Sequence, residues 1–162
     1  MRRSLRGRLL GAVFLAILGF SPRAASAIEA VAFLSTGSPG EVWGGGLGAA
    51  LTSTWFKIVM VDAELARQNY NAADGQLLSF SAAACLAPSF GRFVPYAGFG
   101  VGVHRQTLGP LSDNGTLTSL MVGGRLKLGL LVLRAEYRTF ELSGNPRVPL
   151  EHRISVGAGI SF

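Results

Sequence analysis

The sequence predicts an all-β fold: an eight-stranded antiparallel transmembrane β-barrel preceded by a cleavable signal peptide. Three observations lead there. The first residues have the layout of an export signal. From residue 28 onward, apolar and polar residues alternate with a period of two, broken by turn chemistries into eight segments. Within those segments, the charged residues fall on the parity opposite the aliphatic ones.

The export signal comprises a basic start, with Arg2, Arg3, Arg6 and Arg8, and then an apolar run from Leu9 to Phe20. It closes on the small-residue cleavage pattern Ala25-Ser26-Ala27. A retained anchor is the competing reading, but the run is well short of the roughly 20 residues a spanning helix needs. Cleavage after Ala27 divides the chain into a signal peptide, 1–27, and a barrel domain, 28–162.

Composition excludes several classes. Of the 162 residues, 49% are hydrophobic and only 15% are charged, which excludes a disordered chain. A single Cys excludes a disulfide framework. The net charge of +6 suggests a nucleic-acid partner until its location is considered. Five of the 15 basic residues lie in segment 1–27, leaving ten against nine acids in the remainder. A nucleic-acid interface needs a basic face on the folded domain, and none is expected.

The strands follow in order. Ile28–Leu34 is a short opening strand that includes Glu29. Glu41–Thr52 is Gly-rich, with Leu47, Ala49 and Leu51 on one parity. Trp55–Arg67 sets Val59, Val61, Ala63 and Leu65 against Asp62 and Glu64. Gln76–Leu86 alternates weakly. Arg92–Arg105 places Phe93, Pro95, Ala97, Phe99, Val101 and Val103 opposite Tyr96, Gly98, Gly100, Gly102 and His104. Thr116–Leu128 sets Leu120, Val122, Leu126 and Leu128 against Ser119, Arg125 and Lys127. Leu131–Glu141 sets Leu133, Ala135, Tyr137 and Thr139 against Arg134, Glu136 and Arg138. Glu151–Phe162 closes the chain, its apolar parity ending in Ile160 and Phe162. Connections alternate between short turns and longer loops at 36–40, 68–75, 106–115 and 142–150, as in a membrane barrel. Between the sixth and seventh strands, the apolar run Lys127–Leu131 leaves the register open by one residue.

Orientation follows from cost. A basic side chain facing lipid at the midplane costs about 2–4 kcal/mol, whereas acids and bases turned inward can pair. A lumenal ion-pair network is therefore expected among Asp62, Glu64, Arg125, Lys127, Arg134, Glu136, Arg138 and Arg153, with Glu29 a further candidate. Eight strands enclose little more than their own side chains, so no large pore is expected. Trp43, Trp55, Tyr96, Tyr137 and Phe162 are candidates for interfacial girdles.

The export signal, the stretch Pro95-Tyr96-Ala97-Gly98-Phe99-Gly100-Val101-Gly102-Val103, the segment Arg134-Ala135-Glu136-Tyr137-Arg138 and the ending Gly157-Ala158-Gly159-Ile160-Ser161-Phe162 resemble the small bacterial outer-membrane β-barrel family. That family includes the OmpA-type membrane domain and OmpX-like proteins. The resemblance covers residues 28–162 and implies location in the bacterial outer membrane. It implies that Ala158, Ile160 and Phe162 form the C-terminal signal read by the barrel-assembly machinery. The implied partners are outer-membrane lipid and lipopolysaccharide, without nucleic acid, and a monomer is expected.

The leading functional expectation is a non-enzymatic structural or surface-interaction role, with no cofactor. A lipid A-modifying hydrolase is the first alternative. Such barrels use Ser, His and an acid near the lipid-facing rim, and His152, Ser155, Glu151 and Glu141 are the candidates here. However, His152 and Ser155 fall on opposite parities. A soluble, lipocalin-like ligand-binding barrel is the second alternative. Two His residues without an acidic cluster make no expected metal site. Cys85, in an alanine-rich strand, reads as a small filler, and His104 as a rim or lumen residue.

Overall fold

The computed structural model of the protein describes residues 28–38, 44–55, 58–70, 75–144 and 151–162. The expected signal peptide, with its cleavage pattern, and Trp43 lie outside these residues. Eight strands run in chain order: β1 (Ile28–Ser38), β2 (Gly44–Trp55), β3 (Val59–Tyr70), β4 (Gly75–Leu86), β5 (Phe93–Leu108), β6 (Leu111–Leu128), β7 (Leu131–Leu142) and β8 (His152–Ser161). Each pairs antiparallel with the next, and β1 pairs with β8, closing the barrel. Beyond the ladder, Ile28 and Phe162 exchange backbone hydrogen bonds, so the start of β1 and the residue after β8 are joined at one rim. Closure leaves no unpaired edge, which is what a backbone in hydrocarbon requires.

The ladders carry no bulge, so inner and outer faces alternate without interruption along every strand. Aliphatic side chains point out: Leu34 is 68% exposed, Leu120 62% and Ile160 56%. Arg125 and Asp62, facing in, are each 1% exposed. Such a surface cannot serve a soluble barrel; the lipocalin-like alternative needs the opposite arrangement. Apolar clusters also occupy the interior. Met60, Cys85, Val94, Tyr96 and Met121 group together, while Tyr70 and Leu77 pack with Phe140 and Leu142 at the end opposite Ile28 and Phe162.

Several strand ends and one side-chain direction depart from the sequence reading. Trp55, read as the start of the third strand, ends β2, and β3 runs from Val59 to Tyr70. The loop expected at 106–115 is strand: β5 and β6 pair out to Leu108↔Leu111 around the two-residue turn Gly109-Pro110. Its polar composition misleads because alternation in hydrophobicity fades where a strand leaves the hydrocarbon, while backbone pairing continues. β1 likewise extends to Ser38, beyond Leu34. Tyr96, a girdle candidate, points into the lumen and is 2% exposed. Position in the pleat, not aromatic character, decides its side.

The register left open between β6 and β7 is fixed by Gly129-Leu130, with Leu128 paired to Leu131 and Arg125 to Arg134. Gly129 has φ of 68°, a conformation suited to the first position of a two-residue hairpin turn. An L-residue there pays roughly 1 kcal/mol or more. Gly129→Ala should therefore lower unfolding stability by about that amount in a urea titration of the folded barrel. Gly45→Ala, whose new Cβ meets nothing within 4 Å, should change it by only a few tenths.

Candidate functional site

The most distinctive constellation is inside the barrel. Period two along β7 turns Arg134, Glu136 and Arg138 to the same inner face, with exposures of 4% or less. β3 supplies Asp62 and Glu64 from the opposite wall, four strands away in either direction. Arg134 grips Asp62 with both terminal nitrogens, at 2.8 and 3.0 Å, and holds Glu136 at 2.5 Å. Its Nε donates to the Tyr96 hydroxyl at 2.9 Å, and that hydroxyl donates to Glu136 at 2.9 Å. Thr52 on β2 donates to Asp62 at 2.6 Å.

Arg138 continues the array. It donates through Nε to Glu136 at 2.9 Å and lies 3.1 Å from Glu64. It also donates to Ser81 on β4 at 3.2 Å. From β8, Arg153 reaches Glu64 at 2.6 Å. Three acids and three arginines thus share one desolvated cluster whose charges sum to zero.

A second cluster lies nearer the rim where β1 begins and β8 ends. Glu29, fully buried, accepts from Arg125 at 2.5 Å and lies 2.7 Å from the Lys127 ammonium. Arg125 also donates to Thr54 at 3.4 Å. Together the two clusters draw a side chain from every strand. Sequence reasoning named eight of the nine charged members and kept Glu29 as a further candidate. Its signal is a lone acid in a short apolar strand, on the odd parity that faces inward.

Aromatic rings fill the space between cations. The Tyr96 ring lies between Arg125 and Arg134, at 5.9 and 5.5 Å. Arg153 lies over Phe33 and Phe140, at 5.1 and 5.3 Å. Such contacts favour a guanidinium without water. Gly123 makes room for Tyr96, since a Cβ there would come within 2.6 Å of its hydroxyl.

The hydrolase candidates do not converge. Ser155 faces the lumen and is 5% exposed. His152 faces outward and stacks on Tyr137 at 6.2 Å between centroids. Glu141 and Glu151 are both exposed. His104 is a lumen residue, 3% exposed, with Nε2 3.2 Å from the Ser143 carbonyl oxygen. Cys85 is buried against the Met121 sulfur at 3.5 Å. Among the described residues, no group of three or more His, Cys, Asp or Glu could hold a metal ion. Ala158, Ile160 and Phe162 all point outward, and Phe162 is 67% exposed.

Known structures share this architecture. The chain superposes on Neisserial surface protein A with a TM-score of 0.65 at 16% identity, covering 84% of this chain and 95% of that one. The N-terminal β-barrel domain of Pseudomonas aeruginosa OprF gives 0.58 at 16% identity, covering 85% and 100%. The outer membrane enzyme PagL gives 0.53 at 14% identity, covering 85% and 99%. No protein-family model matches the chain, and no curated protein matches its sequence. The chain therefore has the fold of the small eight-stranded outer-membrane β-barrels. Its apolar exterior suits the same solvent, the outer membrane.

The network makes a sharp energetic expectation. Removing one partner of a buried pair strands the other charge and costs about 3–5 kcal/mol. Asp62→Asn should lose about that much. Adding Arg134→Met should restore a large part of it, because Glu64 and Glu136 then balance Arg138 and Arg153 and no excess guanidinium remains buried. Equilibrium unfolding of the two single variants and the double variant measures the coupling.

Proposed function

We propose that this protein is a non-enzymatic, monomeric outer-membrane barrel with a closed lumen, acting as a structural or surface-interaction element of the envelope. The observation that carries the reading is the Asp62–Arg134 pair. It bridges diametrically opposed strands at hydrogen-bond distance, which supports a plugged lumen at that level. The flanking clusters support the same conclusion, since Arg138, Arg153, Arg125 and Glu29 fill adjacent levels. Within this reading, the network plugs the interior and holds the strands in register. It is weak evidence for added stability, because desolvating its members offsets much of their attraction.

Its partners in this reading are outer-membrane lipid, lipopolysaccharide and the barrel-assembly machinery. Ala158, Ile160 and Phe162 serve the last of these. Their outward, alternating placement at the end of β8 leaves them accessible to an assembly factor before the barrel closes on β1.

A second reading, a lipid A-modifying hydrolase, draws on the fold shared with PagL. Against it stands the separation of His152 and Ser155 onto opposite faces, since a nucleophile needs its base within hydrogen-bond reach.

Two measurements separate these readings. Reconstituted in a planar bilayer, the barrel should give no stable open-channel current; a steady ohmic conductance would contradict the closed lumen. Mass spectra of lipid A from cells expressing the protein should match those of empty-vector cells. Loss of an acyl chain that His152→Ala abolishes would establish the hydrolase instead.

A further inference from the structure

Charged side chains that point outward from the described strands are few: Arg67 on β3, Arg105 on β5 and Glu141 on β7. The two arginines are not scattered. Both pair across the ladder with Leu78 of β4, so they share one level two strand spacings apart, about 10 Å. Both are exposed, and neither makes an ion pair among the described residues.

The rows on either side are sorted by polarity. Toward the barrel waist, Leu65, Phe80 and Val103 lie in register on the same three strands. Toward the loops, the next outward row is Asn69, Gln76 and Thr107. The exterior of β3–β5 therefore passes from aliphatic and aromatic, through paired guanidinium groups, to neutral hydrogen-bonding groups within three steps. A shallow outer groove of about 440 Å³ runs along it, lined by Leu65, Leu78, Phe80, Val103, Arg105 and Asn114.

We propose that this face binds a phosphorylated lipid of the leaflet on the loop side. The two arginines would clasp its phosphate groups, and the groove below would seat an acyl chain. Guanidinium forms paired, charge-assisted hydrogen bonds to phosphate. It is tolerated on a lipid-facing surface near the interface, where its outward cost falls to roughly 0–1 kcal/mol. A basic pair above an apolar row matches the vertical order of such a lipid, phosphate above chains, and an uncharged or acidic headgroup-level surface would not. The inference rests on the membrane-embedded reading of the barrel and is independent of whether the lumen conducts.

The test uses the whole protein, extracted from outer membranes in detergent and examined by native mass spectrometry. Diphosphorylated lipid A and the same lipid stripped of its phosphates are titrated in parallel. The wild type should retain the phosphorylated form at least tenfold more tightly than the stripped one. Arg67→Gln with Arg105→Gln should remove at least nine-tenths of that preference, whereas Arg92→Gln, in the turn at the opposite rim, should leave it unchanged. Equal retention of the two lipids by the wild type would overturn the proposal. So would an unchanged preference in the double variant, or an equal loss in Arg92→Gln. A heat-modifiability gel verifies that each variant is folded. Should the double variant fail it, the wild-type comparison and each single substitution carry the decision. An intact, heat-modifiable barrel without lipid preference would defeat this site and leave the closed-barrel reading standing.

Discussion

Five cationic and four anionic side chains face the interior, all but Lys127 with almost no access to solvent, and the fold is organised around giving each of them a partner. Glu29 neutralises Arg125 and lies against Lys127. Asp62, Glu64 and Glu136 together hold Arg134, Arg138 and Arg153. None of these groups could be turned to the outside without placing a charge against acyl chains. The inward turn in one strand thus fixes the pleat of the next. A slip of one residue in any ladder would exchange the two faces of a strand and set charges into hydrocarbon.

This coupling explains why the barrel tolerates so plain an exterior. Outward positions on β1, β2 and β8 are mostly Ala, Leu, Ile and Val, with little to distinguish one register from another. Specificity comes from within. Arg134 must meet Asp62 across the full diameter, and Arg153 must meet Glu64 three strands away. Tyr96 can occupy its place between two guanidiniums only because Gly123 yields space. The apolar residues that also face inward, such as Phe33, Phe140 and Met121, fill what the ion pairs leave and stack against the arginine planes.

Much of this was legible in the sequence because a strand has a period of two and the chain keeps it. Asp62 and Glu64 against Val61, Ala63 and Leu65, or Arg134 and Glu136 against Leu133 and Ala135, disclose both the strand and its two faces. Eight segments and their order followed. Three things were not legible. Strand ends beyond the membrane belt lose their hydrophobic alternation, so Gln106 and Asp113 read as loop although their backbones pair. Tyr96 carried two conflicting signals, aromatic type and inner parity. The pairing of particular acids with particular arginines depends on the stagger of a closed cylinder, which no single strand encodes. The outward arginines needed three ladders at once before Arg67 and Arg105 could be seen to share a level.

The decisive quantity is the direction in which each parity faces. It is measured by single nitroxide labels placed along β6 from Leu117 to Leu128 in the reconstituted, Cys85-free barrel. Collisions with dissolved oxygen, which concentrates in lipid, should peak at 120, 122 and 126 and fall at 119, 121 and 125, repeating every second residue. Oxygen maxima at 119, 121 and 125, or accessibility without a two-residue period, would show that the charges do not line a sealed interior.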